Sequence, residues 1–502
     1  MTGAGPPGHI PGPSTDPGHL MDWTLRSLLD ASGTDASLTG DAPVAGISYD
    51  TRRVAPGDLF CCIRGAKVDG HDLIPEALGA GAAALLVDRD VDASAPMARV
   101  GAVRRAMGHV AAAFFGRPSE RLAVAGVTGT NGKTTTSYLI DAMATAAGRR
   151  TGLIGTVETR VAGAGTPAVR TTPESVDLQR LFADMLSSGC EVVSMEVASH
   201  GLDQRRVGGT RFAAAGFTNL TQDHLDYHGT MEEYYLAKAS LFTREYTPIA
   251  VVNTDDPYGQ RLAGEIDGPD LITYGSRGEV TWRDLQASRT GTSFDLVTPA
   301  GEVRVETHLV GHYNLHNICC AAAIAAVGLG LDLEAVAAGA ANVLVPGRLE
   351  PVDAGQGFAV LVDYAHTPDA VANVLQAVRG LSDGRVIVVL GCGGDRDRAK
   401  RPLMGRMATE LADLAVLTSD NPRSEDPDAI LDEVEAGATG PFVRVTDRRA
   451  AIAEALAAAR PGDVVVIAGK GHETGQQFAD RTLPFDDRIV ARELLEELGC
   501  RA

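Results

Sequence analysis

A chain of 502 residues is longer than one ordinary core and predicts two to four domains. Hydrophobic content of 44% and charged content of 22% are those of a soluble globular protein, while a net charge of −20 repels phosphate backbones and excludes nucleic acid as an expected partner. Seven cysteines, with adjacent pairs at Cys61–Cys62 and Cys319–Cys320 in apolar stretches and no CxxC, point to reduced buried thiols rather than a disulfide scaffold or a zinc site.

Residues 1–20 are rich in Pro and Gly and are expected to be a disordered extension. They lack the basic start and apolar stretch of a signal peptide. A first α/β domain is expected over residues 21–120, with strands at Gly57–Ile63 and Ala82–Val87 and a helical run at Ile74–Gly81 between them. A second α/β domain, over 121–346, opens on a strand at Ala123–Val127 and a helix from Thr134 to about Ala147. Strands at Glu191–Glu196 and Ile249–Asn253 follow, and an apolar helix near Asn317–Gly328 closes the block. The longest apolar run, Ile318–Leu331, is too short to span a bilayer.

VPGRLE (Val345–Glu350) reads as a hinge into a third domain over 347–502. Strands there are expected at Ala359–Asp363, Arg385–Leu390, Leu414–Thr418 and Asp463–Ile467, alternating with helices such as Pro368–Arg379 and Ala450–Ala459. The fold class is therefore α/β in three domains, with a small N-terminal α/β domain, a central parallel sheet of P-loop ATPase type and a C-terminal Rossmann-like sheet. Such sheets bind ligands beyond the carboxyl ends of their strands.

Ala123–Ile140 (AVAGVTGTNGKTTTSYLI) is a strand, a glycine-rich turn and a helix start. Backbone N–H groups of Gly129, Thr130, Asn131, Gly132 and Thr135 would crowd round phosphates, Lys133 would reach the terminal phosphates, and Thr134 would hold Mg²⁺. Val127 stands where the strict P-loop pattern has glycine. This loop alone leaves a ligase, a kinase and a GTPase all open.

Glu196, in MEVASHGLDQRRV, follows a strand and is placed to bind Mg²⁺ facing a nucleotide. FTNLTQDHLDYHG (Phe217–Gly229) gathers Asp223, His224, Asp226 and His228, which in isolation suggests zinc but lacks the HE pair of a zincin. Met231–Phe242 looks helical and carries Lys238 among apolar neighbours, a setting equally suited to a surface lysine lying along apolar groups.

The ordered series GTNGKTT, TTPES, EVASH, TNLTQDHLDYHG and Y-x-x-AK resembles the Mur ligase family, in its third-residue-adding branch, and the likeness runs from about Ser48 to Asp487. The resemblance implies an ATP-dependent, ADP-forming ligase. It would add 2,6-diaminopimelate to the D-glutamyl carboxylate of UDP-N-acetylmuramoyl-L-alanyl-D-glutamate through an acyl phosphate, in peptidoglycan synthesis. It further implies two Mg²⁺ ions and a CO₂-derived carbamate on Lys238. Thr134 and Glu196 would hold the first ion, His224 and Lys238 the second, and Lys133, Glu196, His224 and Lys238 form the expected catalytic set. A cytoplasmic monomer without a membrane span is expected.

By the same resemblance Thr51, Thr171, Thr172, Gln204 and Arg206 contact the UDP-sugar peptide, with RGAKVDGHD (Arg64–Asp72) as a second uridine contact. Ala198 replaces a usual serine. Asn317, Arg348 and Asp363 fall to the nucleotide. Asp420, Asn421, Pro422 and Arg423 form the family's diaminopimelate signature, with Arg396 and Arg423 as guanidinium groups for carboxylates and Gly469 and Glu473 completing the amino-acid site. SDNPR argues against a lysine-adding relative, and the uridine-type N-terminal block against a folate ligase.

Overall fold

The computed structural model describes residues 22–65, 68–288, 291–380 and 383–499. The extension over residues 1–20, and Ala66 and Lys67 of the second uridine-type motif, lie outside the described residues. The chain forms two compact units that divide after Gly116.

In the first unit, five strands lie in the order Ser37–Leu38, Met97–Arg99, Ala84–Val87, Asp58–Cys61, Gly46–Ser48. All neighbours are parallel except the pair Ser37–Leu38 and Met97–Arg99. Leu59, Phe60, Leu85 and Leu86 are fully buried, the continuous apolar run of strands covered on both faces. Thr24 caps the helix Leu25–Ser32 by accepting from the Ser27 N–H, and that helix packs on Val103–Phe114.

The second unit, from Arg117 on, holds two large sheets. The first has eight strands, in the order Asp270–Tyr274, Ile249–Asn253, Ala214–Phe217, Ala123–Thr128, Val192–Glu196, Thr151–Ile154, Glu158–Val161, Ala164–Pro167. Its first six strands are parallel, and the last two form an antiparallel hairpin on the edge. Ala123–Thr128 and Val192–Glu196 lie side by side at its centre, so their carboxyl ends open at one place. The apolar helix His312–Ala323 starts five residues earlier than the sequence suggests and runs on as a π-turn, Ile324–Gly328.

A second, six-stranded sheet runs Glu350–Pro351, Ala359–Asp363, Val464–Ala468, Val386–Cys392, Leu414–Ser419, Phe442–Arg444, parallel throughout except for the first pair. The expected hinge is a turn, and a Cβ at Gly347 (φ 66°) would come 2.2 Å from the His472 amide nitrogen. Sequence reading missed a three-stranded antiparallel sheet, Thr281–Ser288, Gly291–Thr298 and Gly301–Thr307. Its middle strand alternates half-buried and buried residues along its whole length, the period-2 signal of a half-covered strand.

Candidate active site

The strand Ala123–Thr128 ends in a loop whose glycines are required by geometry. Gly129 has φ 145° and a Cβ there would come 1.8 Å from Thr218 Oγ1; Gly132 has φ 89° and a Cβ there would come 2.3 Å from Asn317 Oδ1. No side chain caps the helix Lys133–Ala146, which leaves its first N–H groups for an anion. Lys133 Nζ folds back onto the carbonyl oxygens of Gly129 (2.9 Å) and Thr130 (2.8 Å). Burial lowers its pKa, against the opposing pull of Glu196 and Asp223.

Glu196 ends its strand 1% exposed. Its Oε1 accepts from Thr134 Oγ1 (3.0 Å) and from the Thr156 N–H (2.8 Å), and Oε2 accepts from Thr156 Oγ1 (3.0 Å). Sequence reading missed Thr156, although it stands just past an apolar strand in the same way as Thr134. Arg348 Nη2 donates to Thr134 Oγ1 at 3.3 Å and the guanidinium stacks on Tyr364 at 4.7 Å.

Lys238 is 1% exposed, gives Nζ to the Gly129 carbonyl at 2.7 Å, and lies 4.6 Å over the Tyr234 ring. Burial, with Lys133 adding repulsion, drives its pKa well below that of a free lysine. His224 sits at φ 54°, and its ring faces Tyr234 at 6.1 Å and His200 at 4.8 Å. Burial favours its neutral form, and Asp223 opposes that. Asp223 accepts from Lys400 Nζ at 3.4 Å.

These groups line a cavity of about 880 Å³ that also takes in Asn317, Arg348, Asp363 and Thr171. Asn317 donates to Asn314 Oδ1 (2.9 Å). Asp363 accepts from the Leu349 N–H (2.7 Å) and the Ala365 N–H (2.8 Å), and burial raises its pKa.

A second cavity of about 690 Å³ shares Thr156 and Tyr364 with the first and is lined by Asn421, Arg423, Glu473 and the edge hairpin. Asn421 donates to Glu473 Oε2 (2.8 Å) and accepts from Lys470 Nζ (3.1 Å). Lys470, missed by sequence reading, is fully buried and also bonds Glu473 (3.0 Å). Arg423 has φ 51° and gives Nη1 to the Gly394 carbonyl at 2.6 Å. Burial and the nearby Arg396 lower its pKa. Pro422 packs its carbonyl against Gly394, where a Cβ would come within 1.9 Å. Asp420 accepts from the Asn421 N–H (2.7 Å), and its Oδ2 lies over Gly469, 2.6 Å from where a Cβ would be. Arg396, whose Nη1 bonds the Asp395 carbonyl, is not in this wall.

The expected peptide-binding residues separate. Thr171 Oγ1 faces Thr156 Oγ1 at 3.0 Å beside the phosphate loop. Thr172 is buried, and its hydroxyl links the Glu196 carbonyl (3.0 Å) to the Ala198 N–H (3.0 Å), so it holds backbone. Arg206 donates to Gln204 Oε1 (2.8 Å), and Gln204 donates to Tyr227 (3.0 Å). Thr51 is in the first unit, half-buried, at the start of a 3-10 turn capped by Asp50.

Residues 127–325 match the Mur ligase middle domain, 347–471 the Mur ligase glutamate ligase domain, and 43–115 the Mur ligase family catalytic domain. The chain belongs to the Mur ligase family. It is 50% identical over 473 residues to the UDP-N-acetylmuramoyl-L-alanyl-D-glutamate--2,6-diaminopimelate ligase of Geobacillus kaustophilus, covering 92% of this chain and 96% of that protein. It is 45% identical over 505 residues to the ligase of the same name from Streptomyces avermitilis, covering 97% and 99%. A solved structure of a ligase of that name is 33% identical with a TM-score of 0.66, covering 91% of this chain and 96% of that one. The Thermotoga maritima MurF ligase in complex with ADP, 20% identical with a TM-score of 0.61, covering 90% and 96%, shares the fold.

In this Mur ligase no group of three or more His, Cys, Asp or Glu among the described residues could hold a metal. Mg²⁺ instead takes one or two carboxylates and completes its shell with phosphate oxygens and water. The Thr134 hydroxyl beside the buried Glu196 carboxylate fits such a partial site.

Proposed function

We propose that the chain is an ADP-forming acid–amino-acid ligase that joins 2,6-diaminopimelate to the D-glutamyl carboxylate of UDP-N-acetylmuramoyl-L-alanyl-D-glutamate. It would serve peptidoglycan precursor synthesis in the cytoplasm as a monomer. One observation carries this reading. The phosphate-loop cavity and the cavity lined by Asn421, Arg423 and Glu473 meet at Thr156 and Tyr364. An activated carboxylate formed on one side is then within reach of an amine held on the other.

ATP phosphorylates the glutamyl carboxylate, the amine attacks the acyl phosphate, and the tetrahedral intermediate expels phosphate. The N–H groups from Gly129 to Thr135 orient the phosphates, while Lys133 and Arg348 stabilise charge developing on phosphoryl oxygens. Thr134 and Glu196 would hold one Mg²⁺, and His224 and a carbamylated Lys238 a second; when bound, the ions neutralise phosphate charge. A buried lysine whose pKa is driven down offers the neutral amine that CO₂ requires. Asn317 and Asp363 serve the nucleotide. Thr171, Gln204 and Arg206 contact the UDP-peptide, and Thr172 positions the segment at Ala198. Arg423, Asp420, Asn421 and Glu473 take the amino acid, while Arg396 stands outside the cavity wall. These roles divide the chain into segments 21–120, 121–346 and 347–502.

Nucleotide release measured with each substrate omitted in turn tests the reading. ADP and phosphate should form only when both the UDP-peptide and diaminopimelate are present, with a product heavier by one diaminopimelate residue. AMP and pyrophosphate as products would overturn it.

A further inference from the structure

The second cavity has four charged residues in its described lining: Arg423, Arg488, Glu158 and Glu473. Diaminopimelate at neutral pH carries two carboxylates and two ammonium groups, so a site that takes it must answer both ammonium groups. Glu473 accepts from Asn421 and shares this lining with Arg423, the guanidinium expected to meet a carboxylate, so this pair suits the amino acid's far centre. The attacking end must instead point to Thr156, the residue shared with the phosphate-loop cavity. Glu158 begins the next strand, two residues past Thr156, and is the only other carboxylate in this described lining.

The local geometry leaves one of its oxygens available. Tyr138 OH and Arg160 Nη2 both donate to Oε1. Oε2 lies over Gly165 in the hairpin wall, where a Cβ would come within 2.4 Å of it. Arg160 also has Asp141, at 2.8 Å, as a partner independent of Glu158. The side chain is 24% exposed. It is anchored on one oxygen and faces the cavity beside a residue with no side chain to cover the other.

We infer that Glu158 binds the ammonium group at the attacking end of the amino acid, and that the edge hairpin is thereby part of the amino-acid site. This rests on the ligase reading above. A charge-assisted hydrogen bond of this kind orients the amine toward the acyl carbon before it loses its proton.

Glu158→Gln keeps the size of the side chain and an acceptor for Tyr138. Steady-state kinetics are compared for wild type, Glu158→Gln and Glu473→Gln, with diaminopimelate and with 2-aminopimelate, which lacks one ammonium group. Glu158→Gln should raise KM about 10–100-fold for both amino acids, with KM for ATP and for the UDP-peptide unchanged. Glu473→Gln should penalise diaminopimelate alone. An unchanged KM for diaminopimelate in Glu158→Gln, a penalty confined to diaminopimelate, or a parallel rise in all three KM values overturns the assignment. Failure of the wild type to ligate diaminopimelate at all would instead overturn the ligase reading.

Discussion

Lys238 Nζ reaches across 109 residues of sequence to the carbonyl oxygen of Gly129, 2.7 Å away. A buried lysine aimed at the turn proposed to cradle phosphate is in the wrong charge state to attract a cation, and burial already disfavours its ammonium form. Carbamylation, as proposed, would resolve the conflict by turning the same atom into the base of an anion. Lys238→Arg keeps a cation and should be nearly inactive. Lys238→Ala should recover part of its activity when short carboxylic acids are added. Full activity of Lys238→Ala without additive, in the same ADP-release assay, would refute the carbamate.

Thr156 gives Glu196 two of its three hydrogen bonds. Thr156→Val keeps the backbone donor and the shape but removes the hydroxyl. The expected result is a kcat lower by about tenfold, the equivalent of roughly 1.4 kcal/mol. The Mg²⁺ concentration for half-maximal rate should rise, and the thermal midpoint should hardly move. A variant with wild-type Mg²⁺ dependence would show that the hydroxyl is only structural.

Arg423 bears on the choice of amino acid. Lysine lacks the far carboxylate of diaminopimelate, so it would leave this half-buried guanidinium unanswered. An uncompensated charge costs about 3–5 kcal/mol when fully buried; at this half-buried position roughly half of that applies, a preference of about 10–100-fold. Arg423→Ala should lose most kcat/KM for diaminopimelate and keep the affinity for ATP, whose proposed site is the other cavity. Lysine should stay a poor substrate, because removing a cation does not build a lysine pocket. Equal use of lysine and diaminopimelate by the wild type would rule this assignment out.

His472 gives a prediction for pH. Burial, with Arg348, Arg488 and His366 adding to it, lowers its pKa to about 4. In the unfolded chain the ring titrates near about 6.5. Between those values the unfolded state binds a proton that the folded state does not, so stability is full above about 6.5 and falls as pH drops toward 4. Urea midpoints at pH 7 and pH 5 should differ more for wild type than for His472→Gln. Identical differences would exclude His472 as a contributor.

The strand, glycine-rich turn and helix start around Lys133, and the strand that ends in Glu196, were legible because each is written in consecutive residues, whereas the expectation for Lys238 came only from the family resemblance. The alternation of strands and helices was legible for the same reason. What escaped reading was set by distance in sequence. Lys470 is buried with Asn421 and Glu473 folded onto its Nζ, contacts that no run of neighbouring residues spells out. Thr156 matters only because its strand lies beside that of Glu196. Thr172 was expected to meet substrate, yet its hydroxyl is held by Glu196 and Ala198 backbone. The antiparallel sheet over 281–307 did leave a signal, the alternation in Gly291–Thr298, weak beside the apolar parallel strands.

Thr156 and Tyr364 border both cavities, which together offer about 880 and 690 Å³. That shared border makes the pair a natural address for a single two-headed inhibitor. A phosphate mimic seated at the glycine turn and a diamino-diacid head seated at Arg423 need only a tether short enough to cross those two side chains. Once the first head is bound, the second meets its pocket at high effective concentration, so the joined molecule gains over its separate halves without any new contact. Selectivity would come from the amino-acid head, since glycine-rich phosphate turns recur in many ATP-using proteins.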